Sequence, residues 1–239
     1  MEEYPNNTIW NRTLLKYLAI LAMVIDHVGM MFIPITIVPG ILCRVIGRLT
    51  APVMCLFLAE GFYYTSSRKK YGIRLFIFAL LSQAPYALMH KDTLLTIDLN
   101  VIYTLFCSFV MLCLYERFAD SNLRWLLVGA AIGASTLGDW GIFGPLFVLA
   151  FYVYRDNRKW QLRCFIAISS GMVVLSTAFC IANDYHWYGE LWQLGLFLFI
   201  PVLFLYNGKT GSRAPFHKWF FYVFYPLHML IFWMIKWKL

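Results

Sequence analysis

The sequence predicts an all-α protein, a polytopic bundle of about nine transmembrane helices in one integral-membrane domain over residues 1–239. Three observations predict this fold. First, 61% of the residues are hydrophobic, only 13% are charged, and the mean hydropathy is +0.66, whereas soluble domains carry about 25% charged residues. Second, apolar runs of about 20 residues, the length that crosses a bilayer, recur along the chain. Third, most basic residues lie between these runs.

The apolar runs are bounded by charged or turn-forming residues, and each is predicted to be a helix. They cover residues 14–33, 41–63, 73–90, 100–117, 124–137, 142–154, 162–181, 191–206 and 218–236. The first run is longer than the core of a signal peptide and has no small-residue cleavage site, so we expect it to remain as the first transmembrane helix. The runs at 124–137 and 142–154 are shorter than a full span and are divided by the sequence Gly-Asp-Trp-Gly at 138–141. They predict either two short helices or a re-entrant hairpin.

The distribution of basic residues predicts the orientation in the membrane. If all nine runs cross and the N-terminus is cytoplasmic, 15 of the 20 Lys and Arg residues lie on the cytoplasmic side: Arg12, Lys16, Arg68, Lys69, Lys70, Arg74, Arg117, Arg124, Arg155, Arg158, Lys159, Arg163, Lys209, Arg213 and Lys218. Only Lys91, Lys236 and Lys238 lie outside. Because cytoplasmic loops are enriched in Lys and Arg, this pattern predicts a cytoplasmic N-terminus and an outer C-terminus.

The composition also argues against two classes of function. The formal net charge is +8, but the basic residues are scattered between apolar runs rather than gathered on one face, so no nucleic-acid partner is predicted. The six cysteines lie inside apolar runs, with no Cys-x-x-Cys pair and no histidine at ligand spacing. The sequence therefore predicts neither a metal site nor a disulfide framework.

Six ionisable side chains inside the predicted helices mark the candidate functional site: Asp26, His27, Arg44, Arg48, Glu60 and His228. A charged group at the centre of a bilayer costs about 3 kcal/mol, so each is expected to find a partner or to face a hydrated interior. On a helix that begins near Leu14, His27 lies about 20 Å from the cytoplasmic end. Such a buried polar site is typical of catalysis or transport, and structural ion pairing is the plainer alternative.

Asp26 and His27 are successive helix residues, about 100° apart, so they cannot face each other. We predict that Asp26 pairs with Arg48 and that His27 titrates, because an ordinary imidazole pKa of about 6.5 suits proton transfer near neutral pH. Arg44 is expected to extend its guanidinium to the outer interface. Glu60, near the cytoplasmic end of its helix, is expected to be hydrated.

The last predicted helix carries a polar stripe, because Tyr222, Tyr225 and His228 follow one another at intervals of three residues. Pro226 removes one backbone hydrogen bond within this helix, close to the stripe. The two tyrosines are either part of a functional site or packing residues. Three more polar residues are candidates for the same cavity: Gln83, Asn100 and Thr104. For Gln83 and Asn100 the alternative is hydrogen bonding between helices.

A basic segment follows the second predicted helix and contains Arg68, Lys69, Lys70 and Arg74. Such a segment is an ordinary topology signal. It also suits the phosphates of a cytosolic molecule or the headgroups of anionic lipids.

An ordered set of short motifs along nearly the whole chain resembles the TraX family. The motifs are Lys16-Tyr17-Leu18-Ala19, Ile25-Asp26-His27-Val28-Gly29, Ile46-Gly47-Arg48-Leu49-Thr50-Ala51-Pro52, Ala59-Glu60-Gly61-Phe62, Tyr71 through Arg74-Leu75, Ser82-Gln83-Ala84-Pro85, Leu99-Asn100-Val101 with Thr104-Leu105, and Phe221 through Tyr225-Pro226-Leu227-His228.

The resemblance implies a multi-pass protein of the bacterial cytoplasmic membrane, surrounded by lipids, and an enzyme. The namesake of the family acetylates the N-terminus of a conjugative pilin subunit, with acetyl-CoA as the donor. More distantly, the chain is similar to integral-membrane acyltransferases that use an intramembrane histidine. We therefore expect an acyl-CoA-dependent acetyltransferase whose acceptor is an amine or hydroxyl on a protein N-terminus, a glycan or a small molecule.

In this interpretation His27 is the general base, or carries the acyl group transiently. Asp26 and Arg48 orient the site and stabilise oxyanion charge, and His228 with Tyr225 forms a second polar wall. The residues predicted to hold the phosphates of acetyl-CoA are Arg68, Lys69, Lys70 and Arg74. Two alternatives remain open: a proton-coupled transporter or flippase that uses Asp26 and His27, and a non-catalytic membrane assembly factor.

Overall fold

The computed structural model describes residues 9–212 and 214–238, and the regular structure in them is helical apart from one isolated bridge between Leu99 and Gly138. The prediction of an all-α protein is therefore confirmed. Arg213, one of the basic residues predicted to be cytoplasmic, lies outside the described residues.

The described residues form ten α-helices, in chain order α1 Arg12–Phe32, α2 Val38–Gly47, α3 Thr50–Tyr64, α4 Arg68–Lys91, α5 Val101–Arg117, α6 Leu123–Ala134, α7 Phe143–Val153, α8 Arg158–Ala182, α9 Phe199–Leu205 and α10 Pro215–Lys238. A short 3-10 helix, Ser135–Leu137, continues α6, and a longer one, Leu191–Leu198, leads into α9. Each of the nine apolar runs coincides with helical structure, and the run at 41–63 contains two helices, α2 and α3.

Five helical segments in the described part of the chain are long and apolar enough to cross a membrane: Arg12–Phe32, Val38–Tyr64, Arg68–Lys91, Arg158–Ala182 and Trp219–Lys238. They agree with the prediction of a polytopic membrane protein. The orientation, with a cytoplasmic N-terminus, stays a prediction.

The second predicted helix, 41–63, is broken in the structure at Arg48 and Leu49, between α2 and α3. Pro52 accounts for the break, because a proline has no N–H to donate to the carbonyl of Arg48 four residues earlier. The Thr50 hydroxyl donates to the carbonyl of Ala19 in α1 (3.1 Å) and fixes the start of α3. Arg48 therefore lies at the C-terminal end of α2 rather than in the middle of a helix.

The two short apolar runs form two separate helices, α6 of 12 residues and α7 of 11. The intervening turn is held to the start of α5, since the Leu99 N–H donates to Leu137 (2.7 Å) and the Asp139 N–H donates to Leu99 (2.9 Å). Gly141 has a positive φ of 43°, which few other residues adopt. At 1.5 Å per residue, α6 and α7 are each shorter than the 30 Å core of a bilayer. Both readings, two crossings or a re-entrant hairpin, stay predictions.

The chain divides into two compact units, described separately here. Unit 1 comprises the chain up to Met54 together with Tyr154–Ala214, and unit 2 comprises Cys55–Val153 with Pro215–Leu239. The expectation of a single domain over residues 1–239 stays a prediction.

In unit 1, α1 packs against α2, and the 3-10 helix Leu191–Leu198 packs against both α2 and α8. Phe165 of α8 and Phe199 of α9 are fully buried, with ring centroids 5.0 Å apart. The Arg158 guanidinium donates to the carbonyls of Leu203 and Tyr206, and so satisfies the C-terminal end of α9. These contacts fix the 3-10 helix beside α2, which matters for the site.

In unit 2, α4 packs against α5 and α10, and α5 packs against α6 and α7. The centre of this packing is Phe62, which is fully buried and makes edge contacts with Phe109 (5.3 Å) and Tyr152 (5.4 Å). These ring contacts join α3, α5 and α7 within unit 2.

Candidate functional site in the membrane helices

One buried carboxylate, Asp26 of α1, binds two arginines of α2. Its Oδ1 lies 2.8 Å from Nη1 of Arg44, and its Oδ2 lies 3.6 Å from Nη2 of Arg48. The predicted pair of Asp26 with Arg48 is thus present, but the shorter bond is to Arg44. The prediction that Arg44 extends to the outer interface is wrong. Arg44 and Arg48 are four residues apart and therefore share a helix face. Both guanidiniums can then bind the Asp26 carboxylate, and this pairing offsets the cost of burying their charge.

The indole ring of Trp192, which belongs to a different helical element, lies against both guanidiniums. The central carbons of Arg44 and Arg48 each lie 4.5 Å from the ring centroid of Trp192, in the 3-10 helix Leu191–Leu198. A guanidinium over an indole is stabilised by about 0.5–2 kcal/mol, more where water is excluded. The sequence analysis missed Trp192, since an aromatic residue near the start of an apolar run carries no signal of this contact.

Glycines allow the three elements of this cluster to approach closely. A Cβ at Gly47 would overlap the side chain of Asp26, and a Cβ at Gly195 would overlap the backbone of Val45. The 3-10 helix therefore lies directly on α2. Because residues three apart eclipse in a 3-10 helix, Gly195 and Trp192 share the face that contacts α2. We refer to Asp26, Arg44, Arg48 and Trp192 as the arginine cluster.

His27 is buried next to this cluster on α1. Its exposed fraction is 8%, the same as that of Asp26. The structure thus buries the predicted titrating group in unit 1, directly after Asp26 of the ion cluster on α1. Its role as a general base stays a prediction. Glu60, on α3, is half-buried.

Tyr225 and His228 are buried on the same side of α10 in unit 2, whereas Val223 and Leu227 are exposed. The Nδ1–H of His228 donates to the carbonyl of Phe224 (2.9 Å), one turn earlier. This bond assigns the proton of a neutral imidazole to Nδ1 and leaves Nε2 as its acceptor nitrogen. That His228 and Tyr225 form a wall of the same chamber as His27 stays a prediction.

Gln83 and Asn100 serve the structure of unit 2. The Asn100 amide donates to the carbonyl of Ala79 (2.8 Å) and to Gln83 Oε1 (2.9 Å), while its Oδ1 accepts from two N–H groups that begin α5. The Gln83 amide donates to the carbonyl of Asp98 (2.8 Å). Of the two readings offered by the sequence, hydrogen bonding between helices is the one the structure supports for this pair.

The basic segment begins α4, where Ser67 caps the helix by accepting from the Lys70 N–H (3.3 Å). Arg68 pairs with Glu116 and lies 4.2 Å from the ring centroid of Phe62. Arg74 donates through Nε to the Tyr222 hydroxyl of α10 (3.0 Å). Lys69 and Lys70 are exposed in the first turn of α4, where the helix dipole favours anions. Binding of the acetyl-CoA phosphates by this segment stays a prediction.

Metal binding has no candidate in the described part of the chain, since residues 9–212 and 214–238 contain no group of three His, Cys, Asp or Glu side chains that could hold an ion.

Long apolar helices and a charged cluster buried among them define an integral-membrane protein with a polar site inside its helices. The chain belongs to the TraX family: the family model described as TraX protein matches residues 11–236. The resemblance predicted from the motifs is thereby confirmed.

Two relatives are similar over much of their length. The "Probable fimbrial assembly protein FimC, serogroup H1" of Dichelobacter nodosus is 31% identical over 227 residues, which covers 91% of this chain and 92% of the relative. A Rickettsia prowazekii (strain Madrid E) protein, whose name assigns no function, is 31% identical over 171 residues, which covers 67% of this chain and 62% of the relative. No solved structure matches the chain.

Proposed function

We propose that this protein is an acyltransferase of the bacterial cytoplasmic membrane that transfers the acetyl group of acetyl-CoA to an amine or hydroxyl acceptor. The observation that carries the proposal is His27, buried beside the ion cluster of Asp26 with Arg44 and Arg48 in a chain of the TraX family. Since Asp26 is engaged by two guanidiniums, its part is to fix them, and proton transfer is left to His27.

The reaction joins the acceptor to the acetyl carbonyl carbon and breaks the bond from that carbon to sulfur. His27 takes the proton of the acceptor as its nitrogen or oxygen attacks, and the proton passes to the departing thiolate, which leaves as free CoA. Arg48 stabilises the charge that develops on the carbonyl oxygen. The lysines at the start of α4 hold the phosphates of the donor, as a basic helix N-terminus favours.

Release of free CoA tests the proposal. Purified protein in detergent is incubated with radiolabelled acetyl-CoA and a short apolar peptide with a free N-terminal amine, and both free CoA and labelled peptide are measured. We expect His27→Gln to lower the rate at least 100-fold, since a general base contributes about 10²–10⁴. The matched control is His186→Gln, because His186 is exposed in a loop and stacks on Tyr188.

The basic segment is tested in the same assay by Lys69→Gln with Lys70→Gln. We expect the KM for acetyl-CoA to rise several-fold while kcat changes little, and Lys209→Gln, which also removes an exposed lysine, to leave both constants unchanged.

A proton-coupled transporter or flippase would neither bind acetyl-CoA specifically nor release CoA. The absence of both from the wild-type protein would reject the transferase.

A role in the assembly of fimbriae is the second candidate, and the name of the Dichelobacter relative favours it. The two roles are compatible if the acetyl acceptor is a fimbrial subunit. They separate in cells that assemble fimbriae, where a purely non-catalytic assembly factor would retain its phenotype with His27→Gln. A transferase would lose it.

A further inference from the structure

We infer that the arginine cluster is a binding site for an oxyanion, a carboxylate or phosphate group, with Arg44 as a principal ligand. This inference rests on the proposed function only in assigning that group to the acyl acceptor.

The charges within the cluster are unequal, because two guanidiniums share the carboxylate of Asp26. The three side chains are exposed by only 17% for Arg44, 12% for Arg48 and 11% for Asp26. Inside a bilayer, an uncompensated charge raises the free energy of the protein. A second anion near Arg44 would therefore be bound more strongly than at a surface, where water screens the attraction.

Arg44 has donors to offer to such an anion. A guanidinium carries five N–H donors in a planar fork, and the Asp26 carboxylate accepts one of them through Nη1 (2.8 Å). The fork matches the geometry of carboxylate and phosphate oxygens, which it binds through two parallel hydrogen bonds. The Arg44 side chain is 17% exposed at the protein surface, which leaves part of it open to contact.

The cluster is rigid before any ligand arrives. Trp192 lies against both guanidiniums, and Gly47 and Gly195 bring their backbones into direct contact with Asp26 and with α2. Side chains held in this way lose little conformational freedom when they bind, so more of the interaction energy appears as affinity.

The position of Arg44 also indicates the side from which the anion arrives. Arg44 lies six residues from Val38, where α2 begins, which is about 9 Å along the helix. The predicted orientation places that end at the outer face of the membrane. The anion therefore fits a group of the acceptor rather than the phosphates of a cytosolic donor.

Binding is measured by thermal unfolding of the purified full chain. In detergent, potassium phosphate and potassium acetate are titrated against potassium chloride at equal ionic strength. In nanodiscs, phosphatidylglycerol is compared with phosphatidylcholine. We expect a saturable rise in Tm of about 3–6 °C at ten times the dissociation constant. A response to phosphate or acetate in detergent indicates a soluble anion, and a response to phosphatidylglycerol alone indicates a lipid headgroup; both support the site.

Variants assign the response to the cluster. Arg44→Gln should weaken binding at least tenfold, and Arg44→Lys should do so as well, because lysine keeps the charge but loses the planar fork. The control is Arg163→Gln, which removes an exposed arginine over Trp160 in the same unit, and it should bind like the wild type. If Arg44→Gln does not fold, Arg44→Lys decides.

The inference is overturned if no anion stabilises the wild type beyond the chloride control, or if the Arg44 variants bind as Arg163→Gln does. Acetyl transfer is absent from this assay. Anion binding without transferase activity would therefore support the anion site and reject the proposed function. Transferase activity without anion binding would support the proposed function and reject the anion site.

Discussion

The contact between the 3-10 helix Leu191–Leu198 and α2 can be tested by one methyl group, in Gly195→Ala. A Cβ at this position would lie 2.7 Å from the carbonyl carbon and 2.8 Å from the Cα of Val45, whereas ordinary contacts measure 3.4–4 Å. The opposing atoms are backbone, which no side-chain rotation can move aside. The 3-10 helix must therefore move away from α2 by about 0.7 Å or more, and Trp192, on the same face, must move with it.

Two consequences are expected from Gly195→Ala. Overpacking at a rigid contact costs about 1–3 kcal/mol, and for a chain of this size each kcal/mol lowers Tm by about 2–4 °C. Displacement of the indole also weakens its hold on both guanidiniums, each contact being worth about 0.5–2 kcal/mol. The acetyl-transfer rate and the affinity for oxyanions should then fall together.

The matched control is Gly171→Ala in α8 of the same unit, where a Cβ would have no heavy atom within 4 Å. Alanine in place of glycine inside a helix stabilises by about 0.5–1 kcal/mol, so this variant should melt at or above the temperature of the wild type. The assay is fluorescence-detected thermal unfolding in detergent. Equal melting temperatures and equal activities for the two alanine variants would refute the close contact.

Three more predictions concern single side chains. Asp26→Asn should lower the free energy of unfolding by about 3–5 kcal/mol, because it leaves two buried guanidiniums without their carboxylate. The control Asp156→Asn breaks an exposed pair and should change this free energy by less than about 1 kcal/mol. Equal Tm values for the two variants would contradict the ion cluster. Asn100→Ala should cost about 2–4 kcal/mol, since it removes a helix cap and two further hydrogen bonds, whereas Asn183→Ala, exposed at the end of α8, should melt like the wild type. In a cysteine-free background, Asp139→Cys should react with a membrane-impermeant maleimide in whole cells and Asp156→Cys only after lysis; the reverse pattern would overturn the predicted orientation.

The helical segments could be predicted from the sequence because the information for them is local. A run of apolar residues of the right length is apparent without knowing what it packs against, and all nine runs correspond to helical segments. The pairing of Asp26 with Arg48 could also be predicted, since both residues were expected at similar depth in neighbouring helices. The break after Gly47 was missed, although the signal, Pro52, was present in the sequence.

The remaining features of the site depend on contacts between distant segments. Arg44 was expected to extend its guanidinium to the outer interface, and nothing in the sequence near Arg44 indicates a contact with Trp192 almost 150 residues later. Gly195 and Gly47 carry no signal either, because a glycine in an apolar run is equally consistent with an open helix surface, as at Gly171. Only the packing of the helices distinguishes a glycine at a close contact from a glycine on an open surface.

The absence of a side chain at Gly47 restricts how the family can diverge. Because any Cβ there would occupy the space of the Asp26 side chain, positions 26 and 47 cannot vary independently. A homologue that acquires alanine or a larger residue at the second position must lose the acid at the first or separate the two helices, and in either case its arginines lose their counter-ion. Covariation of these two positions would thus distinguish members that retain the ion cluster from members that have abandoned it.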